Sequence, residues 1–161
     1  MSDVFRITDI DPAALDTART QVQQKLASVI PADQFHEVGS TAVAGVIGKQ
    51  DLDFLVLVPE ADFLRTRAVL DQMFQRNAEQ LSNAVYQGYI VSSEPDVAVQ
   101  LTVKGGPNDT FLEFVELLRD NDHLITRYNK LKEMFDGQPM GTYRAAKRAF
   151  IEQALTDNRT R

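Results

Sequence analysis

The run Asp51-Leu52-Asp53-Phe54-Leu55-Val56-Leu57-Val58 constrains the fold more than any other stretch of the chain. After Asp53 every position is apolar until Pro59 stops the run, which is how a strand buried on both faces reads. Side chains alternate along a strand, so Asp51 and Asp53 leave one face while Leu52, Phe54 and Val56 leave the other, towards a core. Charges in a central strand are costly unless something compensates them. Two carboxylates on one face repel unless a proton or a cation lies between them. The pair therefore suits Mg²⁺, a hard cation that takes one or two carboxylates together with substrate phosphates. Asp51 and Asp53 are the expected metal ligands and, if the chain is an enzyme, its catalytic carboxylates.

The second half of the pattern lies upstream. Gln34 to Val38 reads as a strand that runs into Gly39-Ser40-Thr41. Glycine lets a backbone come close to a phosphate, and Ser40 and Thr41 offer hydroxyl and N–H donors at a turn expected to open a short helical segment over 41–47. Gly-Ser, a ten-residue spacer (41–50) and Asp-hydrophobic-Asp on a strand together resemble the nucleotidyltransferase superfamily, the DNA polymerase β-like fold. More closely, Val38-Gly39-Ser40-Thr41-Ala42-Val43-Ala44-Gly45-Val46, Lys49 and Asp51-Leu52-Asp53 resemble the GrpB family, whose members also occur fused to dephospho-CoA kinases. Tyr128, Leu131-Lys132, Tyr143, Lys147 and Phe150-Ile151 extend the resemblance over most of the chain.

That resemblance implies a nucleotidyltransferase-like mixed sheet with helices on one face and a C-terminal helical segment. It implies Mg²⁺ as cofactor and an NTP as substrate or ligand, with Gly39, Ser40 and Thr41 at its phosphates. Lys49, just before the aspartate strand, and Lys147, on the last helix, become candidates to offset phosphate charge. By pattern alone Lys132 and Lys147, each four residues after a tyrosine, read as solvated. Catalytic nucleotidyltransferases usually carry a third carboxylate on a later strand. Here that strand offers Gln100 on the open face, with Asp96 and Glu94 at its start. Other departures are Glu37 where the family has a histidine and Ala44 where it has a proline.

Read in order, Asp11 caps a helix whose first position is Pro12, and Leu15, Ala18, Val22, Leu26 and Ile30 recur at helical spacing. The pattern predicts a helix over 60–76, a β-hairpin of 83–92 and 96–104 with Glu94-Pro95 at its turn, and helices over 110–119, 122–136 and 142–155. Thr110 with Glu113 reads as a capping box, and 156–161 reads as a frayed tail. The order is α+β, in a single domain over 1–161.

With 17 Lys and Arg against 23 Asp and Glu, the chain carries a formal charge of −6. That argues against general nucleic-acid binding, which needs clustered cations, but not against a small phosphorylated ligand at a local cationic site. The absence of cysteine excludes disulfides and thiolate metal sites. His36 and His123, the two histidines, have no partner at ligand spacing and read as surface or packing residues. No apolar run approaches a membrane span, Met1–Arg6 lacks the plan of a signal peptide, and the expectation is cytoplasmic. Two functions fit: Mg²⁺-dependent nucleotidyl transfer to an unknown acceptor, or a non-catalytic nucleotide-sensing or partner-binding module. A third carboxylate reaching Asp51 and Asp53 would favour the first.

Overall fold

The computed structural model describes residues 3–93 and 95–160. Its sheet has five strands in the order β1-β2-β5-β4-β3. They are β1 (Phe35–Val38), β2 (Leu52–Val58), β3 (Gln75–Arg76), β4 (Tyr86–Ser93) and β5 (Asp96–Val103). β2 runs antiparallel to β1 and parallel to β5, with Leu52 beside Val97 and Asp53 beside Ala98. β4 and β5 form the expected hairpin, closing on the pair Ser93–Asp96; Glu94, half of the expected turn, lies outside the described residues.

Alternation along β2 and β5 divides the interior into two cores. Leu52, Phe54, Val56 and Val58, with Val97, Val99 and Leu101, pack against α1 (Pro12–Ala27) and α2 (Phe63–Met73). Leu55 and Val38 point the opposite way, towards Phe114, Val115, Leu118, Leu124, Tyr128 and Leu155 of α3 (Phe111–Arg119), α4 (Asp122–Phe135) and α5 (Met140–Arg159). The fold is thus a five-stranded mixed sheet with α1 and α2 on one face and the C-terminal helical segment against the other. No described helix is long and apolar enough to cross a membrane.

The Asp11 side chain accepts from the Ala13 N–H at 3.1 Å, with Pro12 at the first helical position, as the sequence requires of a helix start. Several boundaries differ from expectation. α1 stops at Ala27, before Ile30. The helix expected over 60–76 is a 3₁₀ turn (Glu60–Asp62), then α2, and its last two residues form β3 instead. The segment after Gly39 is a single 3₁₀ turn, Ser40–Ala42. Thr110 makes no capping hydrogen bond, and Glu113 instead accepts from Arg159 at 2.7 Å, which holds α5 helical through Arg159 where a frayed tail was expected.

One feature had no counterpart in the pattern. The extended segment 3–8 straps the C-terminal helices to the site. The Phe5 N–H donates to the Gln138 carbonyl at 2.9 Å and the Phe5 carbonyl accepts from the Gly137 N–H at 2.7 Å. Thr8 donates from its N–H to Gly48 and from its hydroxyl to the Lys49 carbonyl. Phe5 is buried and stacks on Tyr143 with ring centroids 3.7 Å apart.

Candidate functional site

Asp53 sits on the C-terminal-helix face of β2, two residues before Leu55, where the apolar core gives way to charge. Its carboxylate lies against the backbone of Gly39: a Cβ there would stand 2.6 Å from Asp53 Oδ2, and Gly39 has a φ of +79°. Glycine is required at this turn on both counts. Asp51 follows Gln50, whose φ of 63° makes it the one non-glycine in the left-handed region among the described residues. Backbone held there costs free energy and recurs at functional sites.

The cations come from the other end of the chain. Asn129 of α4 clamps the loop between Gly39 and β2, donating to the Gly45 carbonyl at 2.7 Å and accepting from the Ile47 N–H at 3.0 Å. One turn later, Lys132 is carried over that loop. It is 3% exposed, its amine lies 4.6 Å from the centre of the Tyr128 ring, and a Cβ on Gly48 would come within 2.8 Å of it. Lys132 is therefore buried, in contrast to the solvated side chain its spacing suggested. Lys147 and Arg144 approach from α5.

Together these side chains line a cavity of about 130 Å³. Asp51, Asp53 and Ser40 meet Lys49, Lys132, Arg144 and Lys147 there, over a floor of Phe5, Met140 and Tyr143. Among the described residues neither aspartate forms an ion pair, and neither do Lys132, Arg144 and Lys147. Burial, reinforced by Asp51, raises the Asp53 carboxyl from 3.8 to about 7, against the opposing pull of Lys147, Lys132 and Lys49. Burial, reinforced by Lys147, lowers the Lys132 amine from 10.5 to about 7, while both aspartates pull it back up. Burial also pushes the phenols of Tyr128 and Tyr143 above their usual range, so both remain hydroxyl donors. Like charges are crowded on each side of the cavity, and the two sides face one another without closing.

Of the residues singled out from sequence, Gly39, Ser40, Lys49, Asp51, Asp53 and Lys147 converge here. Thr41 does not: its hydroxyl donates to Glu37 at 2.9 Å, and Glu37 is held by Arg19 at 2.6 Å. Lys49 is divided, since its amine lies 3.4 Å from Asp96. Gln100 shares the Asp53 face but pairs with Leu55, two register positions along, and accepts from the Tyr86 hydroxyl at 3.1 Å. Ala98 is the residue directly beside Asp53. Among the described residues no three His, Asp or Glu side chains gather as a metal cluster.

The sequence model described as GrpB protein matches residues 5–157, almost the whole chain. The chain belongs to the GrpB family. A UPF0157 protein of Vibrio cholerae is 28% identical over 152 residues, covering 94% of this chain and 81% of that protein. The crystal structure of the conserved protein GrpB from Enterococcus faecalis is similar in fold, with a TM-score of 0.66 and 19% identity, over 94% of this chain and 98% of that one. The GrpB match includes Phe5 and both arms of the site, from the Gly39 turn to Lys147.

Proposed function

We propose that this chain binds the phosphate chain of a nucleotide together with Mg²⁺, and that it does so in the cavity between β2 and α4–α5. The observation that carries the reading is the convergence of Asp51 and Asp53 with Lys132, Lys147 and Arg144 in one small cavity, with none of the five ion-paired among the described residues. Phosphate oxygens match the cations. The donor set fits a divalent ion: two hard carboxylates at the start of β2, one of them disfavoured in its charged form by burial and by the other carboxylate. Asp51 and Asp53 would hold the ion, which would offset the charge of the phosphates. Lys132 and Lys147 then bind non-bridging oxygens, Ser40 adds a hydroxyl at the Gly39 turn, and Phe5 and Met140 exclude water from the floor.

Among the described residues the carboxylate set favours binding without transfer. Asp96 is engaged with Lys49 and Gln100 with Tyr86, so neither stands free as a third ligand beside Asp53. The test is a thermal-shift and titration panel of NTPs, CoA precursors and nucleotide sugars, with and without Mg²⁺, on the parent and Asp51→Asn. Nucleotides should raise the unfolding temperature in a Mg²⁺-dependent way. Asp51→Asn should lose that response while its apo stability holds or rises. A variant that binds nucleotide and Mg²⁺ as the parent does would refute the role of Asp51. Transfer of a labelled nucleotidyl group above background would overturn the preference for binding alone.

A further inference from the structure

A second cavity, of about 430 Å³, adjoins the first. Lys49 and Asp51 line both, so the two are compartments on either side of one wall. Small-molecule sites usually enclose about 300–1,000 Å³. The first compartment, at about 130 Å³, falls below that range and cannot enclose a whole nucleotide, whereas the second falls within it. Their chemistry also differs. The first collects Lys132, Arg144 and Lys147. The second is lined by the apolar Ile10, Ala14 and Pro95, with Gln50 and Asp96 as polar side chains that can accept hydrogen bonds. Its single cation, Lys49, is already engaged by Asp96.

Building on the phosphate-site reading above, we infer that the second compartment takes the nucleoside part of the same ligand, a ring with hydroxyl or amino donors. An anion would be repelled there by Asp51 and Asp96, so the charge pattern gives the ligand one orientation. Its phosphates lie towards Lys132 and Lys147, and its uncharged ring lies on Ile10, Ala14 and Pro95. Hydroxyl or amino groups donate to Asp96 and to the Gln50 side-chain oxygen. Lys49, on the shared wall, is placed to leave Asp96 for the phosphate nearest the sugar. Asp96 is then freed to accept from the sugar or base.

The experiment is isothermal titration of inorganic tripolyphosphate and of ATP, GTP, CTP and UTP, each with Mg²⁺, into the parent, Ala14→Trp and Ser93→Trp. Both substituted residues are exposed and border the second compartment, so the added rings fill it without entering either core. The expected result is at least about tenfold weaker binding of the NTPs by both variants, with tripolyphosphate binding unchanged. If tripolyphosphate and NTPs bind the parent equally, or the tryptophans leave NTP affinity alone, the nucleoside assignment is overturned and the phosphate site stands. If neither ligand binds the parent, the phosphate-site reading fails and this assignment fails with it.

Discussion

Lys132→Met is the substitution that most directly tests how the site is held together. The parent amine is 3% exposed, and burial beside Lys147 lowers it from 10.5 to about 7. A displacement of that size is a bias of at most roughly 5 kcal/mol against the charged form in the folded state. The amine's place over the Tyr128 ring, at 4.6 Å, offsets about 2 kcal/mol of it. Methionine keeps the length of the stem, removes the charge and sets a thioether against the same ring. Apo stability should therefore rise by roughly 2–3 kcal/mol, which for a domain of this size is an unfolding temperature higher by roughly 5–10 °C. The pH dependence supplies the sign. Between about 7 and 10.5 the unfolded chain holds a proton on Lys132 that the folded chain lacks, so parent stability rises with pH across that window. The Asp53 carboxyl runs the other way: between 3.8 and about 7 the folded chain holds the proton, so stability falls as pH rises. Thermal or urea unfolding from pH 4 to 10 should show both limbs in the parent, with a minimum near neutrality. Only the acid limb should survive in Lys132→Met. A variant less stable than the parent, with the alkaline limb intact, would show that the amine is well accommodated and that its burial carries no cost.

Gly39→Ala puts a methyl 2.6 Å from Asp53 Oδ2 at a φ of +79°, and urea unfolding should show a loss of roughly 1–3 kcal/mol with Mg²⁺-dependent nucleotide binding impaired. Ala98→Asp places a third carboxylate directly beside Asp53 and should tighten Mg²⁺ binding while lowering apo stability. Gln100→Asp, two register positions away beside Leu55, should change Mg²⁺ affinity far less in the same titration. The reverse order would place the open ligand position at Gln100.

Much of this architecture is legible in the sequence because it rests on strong periods. The two-residue alternation expected along β2 is found in its packing, with Leu52, Phe54 and Val56 in one core and Leu55 in the other, while Asp51 stands one residue before the strand. The Asp11-Pro12 start of α1 is local chemistry and is found as written. What escaped depends on tertiary context. β3 is two residues long, too short to show alternation, and was absorbed into the preceding helix. Thr110 and Glu113 have the spacing of a capping box, but Arg159, 46 positions away, takes the glutamate. The strap of 3–8 is fixed by isolated hydrogen bonds to two distant loops, around Gly137 and at Gly48-Lys49, which no local pattern announces. Lys132 was findable. Leu124, Tyr128 and Lys132 fall at i, i+4 and i+8, on the stripe that α4 buries. A lysine that continues an apolar stripe is a charge led into the interior, which points to a site more strongly than the same residue judged by type alone.

The division of charge along the chain also bears on what a ligand would do to the fold. The carboxylates come from β2 and the residue just before it and the cations Lys132, Arg144 and Lys147 from helices of the second core, and the Asn129 clamp and the 3–8 strap are links beside the cavity. Within the protein, burial reinforced by Asp51 raises Asp53, and burial reinforced by Lys147 lowers Lys132. A phosphate chain with a divalent ion opposes both shifts together, because its negative oxygens face the lysines and its positive ion faces the aspartates. Neither component alone does so. Magnesium without nucleotide leaves Lys132 beside Lys147, and phosphate without metal meets the aspartates as a like charge. On the proposed reading, then, the two should bind with positive cooperativity, each tightening the other by the same factor. The ligand would stabilise the junction between the sheet and α4–α5 by mass action, without any change in the cores that flank it.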